Sequence, residues 1–193
     1  MSQRWLVMVV VCVMALGIGA GCGKPKTPPT QDEIKQFFRA ACSDDTTTMD
    51  QLLKTRSNPD LLNAIGHKGR TPLHEAAGRG KIEAVKLLIA RGASIEATDE
   101  DKGTPLHTAA ANGQAVAVDL LLAKGAKVDS VDNTGATPLA YAAYLGRAQA
   151  AEALLKKGAD PNSRSEGTTP LAKALAQGHQ DVADVIRKHG GTN

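Results

Sequence analysis

Residues 69–99 read GRTPLHEAAGRGKIEAVKLLIARGASIEATD, and residues 102–132 read KGTPLHTAAANGQAVAVDLLLAKGAKVDSVD. The second passage repeats the pattern of the first, displaced by 33 residues. Outward from this pair, Thr-Pro-Leu begins at Thr71, Thr104, Thr137 and Thr169, in steps of 33, 33 and 32. Gly-Ala begins at Gly92, Gly125 and Gly158, and Gly190-Gly191 stands 32 residues further on. Landmarks that hold a common phase over successive copies mark an internal repeat, in which each unit buries its apolar face against the next.

Each landmark has a mechanical reason. Thr71 can accept a backbone N–H bond as a helix cap. Pro72 then occupies the first helical position, where a missing N–H costs nothing. Leu73 points into the core, and the small Ala76 and Ala77 let the paired helix come close. Gly80 ends the first helix because glycine tolerates positive φ. Ile82, Val85, Leu87, Leu88 and Ile89 give a second helix its apolar faces, and Gly92 ends it. The stretch ASIEATDEDKG then turns outward as a hairpin-like finger to the following unit. Aromatics make up 3% of the chain, a composition suited to helix-on-helix packing and ill suited to a β-sandwich.

At TPLHEAAGRG with VKLLIARGA, TPLHTAAANG with VDLLLAKGA, TPLAYAAYLG with AEALLKKGAD, and TPLAKALAQG with VADVIRKHG, the sequence resembles the ankyrin repeat family. The resemblance is strong over 66–193 and weak over 31–65. It implies an all-α solenoid of stacked helix-turn-helix units with short hairpin-like fingers. Clear repeats fall at 66–98, 99–131, 132–163 and 164–193, the last acting as a C-terminal cap; 31–65 forms an atypical N-terminal capping unit. In that unit QDEIKQFFRAACSDD and TTTMDQLLKTR supply the two helices. Three departures should reshape the finger tips without threatening the stack. Gly103 abuts Thr104, the finger before Thr169 is one residue shorter, and Ala140 and Ala172 replace the histidine of the first two units.

Residues 1–21 read as an address. One positive charge, Arg4, precedes an apolar run from Trp5 to about Ala20, short for a membrane span and ending in small residues. Gly19-Ala20-Gly21-Cys22 resembles a bacterial lipobox, departing at Gly19 where Leu is usual. That resemblance implies lipidation of Cys22, an anchor in the bacterial envelope and a domain facing the periplasm. Gly23 leans toward the outer membrane; a secreted or soluble periplasmic protein is the alternative. Residues 22–30, with Pro25, Pro28 and Pro29, form an extended tether.

The net charge of +3 is too weak and too mixed for nucleic-acid binding. His74 and His107 share one repeat position, which suits satisfaction of neighbouring backbone or threonine groups better than a metal or a general base. His67, His179 and His189 have no ligand spacing around them. No nucleophile elbow, phosphate loop or zinc-protease pattern occurs, so neither catalysis nor a cofactor or metal is expected. Cys42 is expected to be a buried small apolar residue.

The remaining functional feature is a surface. The resemblance implies a concave groove, lined by finger tips and first-helix faces, that binds another protein. Carried over by position, it comprises Arg70, Glu75, Arg79, Thr108, Asn112, Tyr141, Tyr144, Thr168, Lys173 and Gln177. Tyr141 and Tyr144 sit three apart on one helix face and read as interface anchors; Tyr144 packing on the next unit, and the charges forming a solvated face, are the plain alternatives. The expected function is therefore non-covalent binding of a partner protein by a monomeric, membrane-tethered module. The alternative is a structural envelope spacer without one specific partner.

Overall fold

The computed structural model describes residues 28–56 and 59–193. The expected leader (1–21), Cys22 and tether residues 23–27 lie outside them. The described residues hold ten helices: α1 (Gln31–Ser43), α2 (Thr46–Arg56), α3 (Pro72–Gly78), α4 (Ile82–Ala90), α5 (Pro105–Ala111), α6 (Ala115–Ala123), α7 (Pro138–Tyr144), α8 (Ala148–Lys156), α9 (Pro170–Ala176) and α10 (Gln180–Lys188). Two 3₁₀ turns, Pro59–Asn63 and His67–Gly69, precede α3. No strand occurs among the described residues, only an isolated bridge between Ser165 and Thr168. Odd-numbered helices pack on one another in sequence as one layer, and even-numbered helices α2 to α10 form the other. This is the stacked-hairpin solenoid that the 33-residue period predicts.

Local chemistry sets the helix starts. Thr71 and Thr104 cap α3 and α5 in reciprocal boxes with His74 and His107: each histidine Nδ1 accepts the backbone N–H of its threonine at 3.1 Å. Each Nε2 meets a carbonyl of the next finger at 3.0 Å, Gly103 for His74 and Ala136 for His107. A carbonyl can only accept, so Nε2 carries the proton and Nδ1 is the acceptor. Where alanine replaces histidine, the threonine hydroxyl caps alone: Thr137 accepts from the Ala140 N–H and Thr169 from the Ala172 N–H. Gly80 takes φ +65°, and Gly113, Gly146 and Gly178 close the other first helices in the same left-handed way.

The core repeats in phase. Leu73, Leu106, Leu139 and Leu171 are buried, as are the alanine pairs 76–77, 109–110 and 142–143. Leu88, Leu121, Leu154 and Ile186 fill the equivalent place on the second helices. Each such side chain contributes about 1.5–3 kcal/mol of burial, obtained only when the neighbouring unit is present. Phe37, Ala40, Ala41 and Met49 continue the core into the N-terminal unit. That unit also caps its neighbour: Asp44 Oδ1 accepts the Ala84 N–H of the first turn of α4 at 2.7 Å. Cys42 departs from expectation. It is half-buried, because α1 turns it toward Arg79 and Glu75; burial pushes its thiol pKa up and Arg79 partly offsets this.

Two further series hold successive units together. Asn63, Glu96, Asp129 and Asn162, spaced 33 apart, each offer a side-chain oxygen to a backbone N–H of the next unit, on Ser94, Lys127, Asp160 and Thr192. At the finger bases, Gly66, Asp99 and Asp132 donate their N–H to carbonyls four residues on, whereas Ser165 reaches only Thr168, three on. The missing residue thus converts the fourth finger into a two-residue turn in which Glu166 and Gly167 both take positive φ. Asp99 and Asp132 fold their carboxylates back onto the amides of their own turns. Ser165, in the same phase, is 4% exposed and its hydroxyl finds no partner among the described residues.

Candidate functional site

The expected groove residues fall into in-phase rows along the face where fingers meet first helices. Glu75, Thr108, Tyr141 and Lys173 form one row; Gly78, Ala111, Tyr144 and Ala176 the next; Arg79, Asn112, Leu145 and Gln177 the third. Arg70 and Thr168 stand at finger bases in the phase of Gly103 and Ala136.

Exposure divides this set. Arg79, Asn112, Tyr144, Thr168 and Gln177 are exposed. Arg70 and Glu75 are half-buried and approach each other to 3.8 Å, with Asp99 3.7 Å from the same guanidinium. Glu75 also meets Arg79 at 3.4 Å, one turn along the helix. Asn112 turns its amide back onto the Thr108 carbonyl at 2.8 Å. The Thr168 hydroxyl donates to the Ser165 carbonyl at 3.0 Å, closing its own turn.

Two members are not the free surface groups expected of them. Thr108 is 7% exposed, because Gly78 of the preceding unit presents no side chain and Thr108 fills the space. Tyr141 is half-buried and tied inward. Its hydroxyl donates to Asp132 Oδ2 at 2.6 Å, and its ring stands edge-on to His107 with centroids 5.9 Å apart. Burial, together with the Asp132 carboxylate, raises the Tyr141 pKa far above the usual phenol value. Tyr141 therefore acts chiefly as a strut between α7 and the third finger.

Tyr144, by contrast, is 49% exposed, in a row whose other members are glycine and alanine. Leu145 beside it is 38% exposed. The sequence reading missed Leu145, although its phase with Arg79, Asn112 and Gln177 marks it. Val131, on the third finger, is also exposed. Ile65, in the phase of Val131 beside the first finger, is exposed as well, so what is particular to the third unit is the pair Tyr144 and Leu145, which has no apolar counterpart of its size in the two helix rows.

Two hollows open here. The smaller lies between Arg70, Asp99, His107 and Tyr141. The larger, about 270 Å³, lies between the third and fourth units, walled by Tyr141, Tyr144, Ala140, Glu166 and Lys173. Lys173 Nζ lies 3.8 Å from Glu166 Oε2; the lysine side chain is 17% exposed and the glutamate 71%. His74 and His107 are held neutral, burial lowering both imidazole pKa values. Among the described residues no group of three or more His, Cys, Asp or Glu side chains could hold a metal ion, and no helix is long and apolar enough to cross a membrane.

Comparisons with known proteins agree with this architecture. A family model described as ankyrin repeats (3 copies) matches residues 37–132 and 117–193. The Notch-regulated ankyrin repeat-containing protein of Xenopus tropicalis is 34% identical over 76 residues, 39% of this chain and 64% of that protein. Its Homo sapiens counterpart is 32% identical over 81 residues, 42% of this chain and 66% of that protein. Potassium channel AKT2/3 of Arabidopsis thaliana is 41% identical over 51 residues, 26% of this chain and 6% of the channel. The chain spans less than two thirds of the length of each of these relatives. With the matched segments covering α1 to α10 almost entirely, and with capped, stacked helix pairs at a 33-residue period, the chain belongs to the ankyrin repeat family.

Proposed function

We propose that this chain is a bacterial envelope lipoprotein whose ankyrin groove holds a partner protein non-covalently. Ankyrin repeats are generic protein–protein interaction modules, and a solenoid presents its face preformed, so little ordering cost is incurred on binding. One observation carries the reading: Tyr144 and Leu145, large apolar side chains, stand exposed together in rows that are otherwise small or polar. The stack does not need them there, whereas an interface uses such anchors. The tether half rests on residues 5–22, the apolar run closed by Gly19-Ala20-Gly21-Cys22. Acyl chains on Cys22 would hold the protein at about 0.8 kcal/mol per buried CH₂. In this reading the domain faces the periplasm as a monomer, from the outer membrane.

Capture from solubilised envelopes tests the groove. Wild type is expected to retain a specific protein that Tyr144→Ala with Leu145→Ala loses; equal recovery of every protein by both would overturn it. Labelling with radioactive palmitate tests the anchor: label is expected on wild type and absent from Cys22→Ser, and label that survives the change would defeat the lipoprotein reading.

A further inference from the structure

We propose that the hollow between the third and fourth units receives an acidic side chain of the partner protein, with its carboxylate at the Lys173 ammonium and its methylene stem against Tyr144. This rests on the groove reading above and specifies the chemistry it selects.

The hollow exists because three departures from the repeat meet there. Ala140 stands where His74 and His107 fill the space between first helix and finger. The fourth finger is one residue short and turns at Glu166. Tyr144 raises a wall where the other units have glycine or alanine. Stacking accounts for none of the three, since the first two units stack without them.

The unmet bonding capacity of the hollow is cationic. Tyr141 has already donated its hydroxyl to Asp132. Asp132 accepts from the Thr134 N–H and hydroxyl, the Ala136 N–H and Tyr141, so its charge is met by donors. The Lys173 ammonium carries three donors and, among the described residues, has only the 3.8 Å approach of Glu166. Glu166 is highly exposed at a finger tip, and an ion pair with so exposed a partner is weak, so a better-placed carboxylate displaces it at little cost. A carboxylate brought in by the partner would meet the ammonium of a lysine whose side chain is already mostly covered, so little of its stem is newly ordered on binding. Tyr144, Tyr141 and Ala140 supply apolar contact for the stem, and the exposed Leu145 extends that contact along the groove.

The test is panning of a random peptide library, displayed on phage, against the immobilised full chain, with circular dichroism confirming that each variant keeps the wild-type helix signal. The expected result is a shared Asp or Glu at one place in the enriched peptides, with affinity falling about tenfold or more on Lys173→Met and on Tyr144→Ala. Lys173→Glu is expected to move the preference to Lys or Arg at that place. Enriched peptides that need Tyr144 but show no acidic preference and ignore Lys173→Met would overturn the acid-accepting hollow and leave the groove standing. Failure to enrich any peptide, or enrichment indifferent to both changes, would overturn the groove reading with it.

Discussion

Asp132→Ala should be the most damaging single change on the finger side of the domain. Asp132 is 6% exposed. Its Oδ1 accepts the Thr134 N–H at 2.8 Å, the Thr134 hydroxyl at 2.7 Å and the Ala136 N–H at 2.9 Å; Oδ2 accepts the Tyr141 hydroxyl at 2.6 Å. Thr134 is exposed, so its two donors regain water once the carboxylate is gone. The buried Ala136 amide and the half-buried Tyr141 hydroxyl are the donors left stranded. At about 1–2 kcal/mol each they amount to about 3 kcal/mol. For a chain of this size that lowers Tm by about 6–12 °C. Tyr141→Phe removes one donor and leaves the other three in place, a loss of about 1 kcal/mol. Once the carboxylate is absent, the Tyr141 hydroxyl is itself one of the stranded donors, so that second change should recover about 1–2 kcal/mol and the double-mutant cycle gives a coupling of about 2–3 kcal/mol. Urea unfolding followed by circular dichroism measures all four corners, with the exposed Asp101→Ala as a control expected to lose under about 0.5 kcal/mol. A loss for Asp132→Ala no larger than for the control, or strict additivity with Tyr141→Phe, would refute the reasoning. The pH dependence has a definite sign. Burial pushes the Asp132 carboxyl up, but the bonds from Tyr141, Thr134 and Ala136 outweigh it and leave the pKa below the ordinary value. Its stabilisation is therefore complete above the unfolded pKa of about 3.9 and is lost as pH falls through the lower folded value, where the deficit of Asp132→Ala should shrink.

His74 and His107 fold with depressed imidazole pKa values because burial disfavours the charged ring. Their stabilisation is present above the ordinary value of 6.5 and lost as pH falls below it, so Tm should drop between pH 7.5 and 5.5, and His74→Ala with His107→Ala should flatten that drop. Each of these substitutions should also cost about 2 kcal/mol at pH 7.5, since a finger carbonyl and a threonine amide both lose a partner. Asn162→Ala removes the acceptor for the Thr192 N–H and hydroxyl and the donor to the Gly190 carbonyl; hydrogen exchange should speed at residues 190–193 while α3 to α8 keep their protection, and global stability should fall by no more than about 1 kcal/mol. Glu166 takes φ 51°, a conformation suited to Asn followed by glycine in a two-residue turn, so Glu166→Asn should raise stability by about 0.5–1 kcal/mol in thermal melts.

The architecture was legible because its determinants are local and repeated. Thr-Pro-Leu fixes a cap, a first turn and a core contact within three residues, and four phased copies remove the ambiguity any one carries. The series Asn63, Glu96, Asp129 and Asn162 escaped notice because the position requires an acceptor oxygen and accepts three residue types. Exposure was less legible still. Tyr141 and Tyr144 share a helix face, yet one is drawn inward by Asp132, nine residues upstream on a finger, and the other meets no such acceptor among the described residues. Thr108 lies beneath the surface for a reason seated in another unit, the missing side chain of Gly78. Residue spacing along one helix cannot report on partners contributed by its neighbours.

Conformity and departure separate two demands on the same chain. Every unit meets the same neighbour surfaces, so stacking imposes the same small set of residues at each copy: leucine after the capping Thr-Pro, then alanine at the close helix contacts. A bound partner has no 33-residue period, and what it needs cannot be written identically into each unit. The row Glu75, Thr108, Tyr141 and Lys173 therefore holds an acid, a hydroxyl, an aromatic and a cation on equivalent backbone sites, while the buried leucines behind it scarcely vary. Departures also cluster. The lost histidine at Ala140, the shortened fourth finger, Tyr144 and Leu145 all fall at the junction of the third and fourth units, whereas the second clear unit departs only at the Lys102-Gly103 step of its finger. A scatter of neutral drift over tolerant surface sites would spread such changes along the stack. Their concentration around one hollow that holds a poorly paired lysine makes that junction the place where this solenoid differs chemically from a generic one.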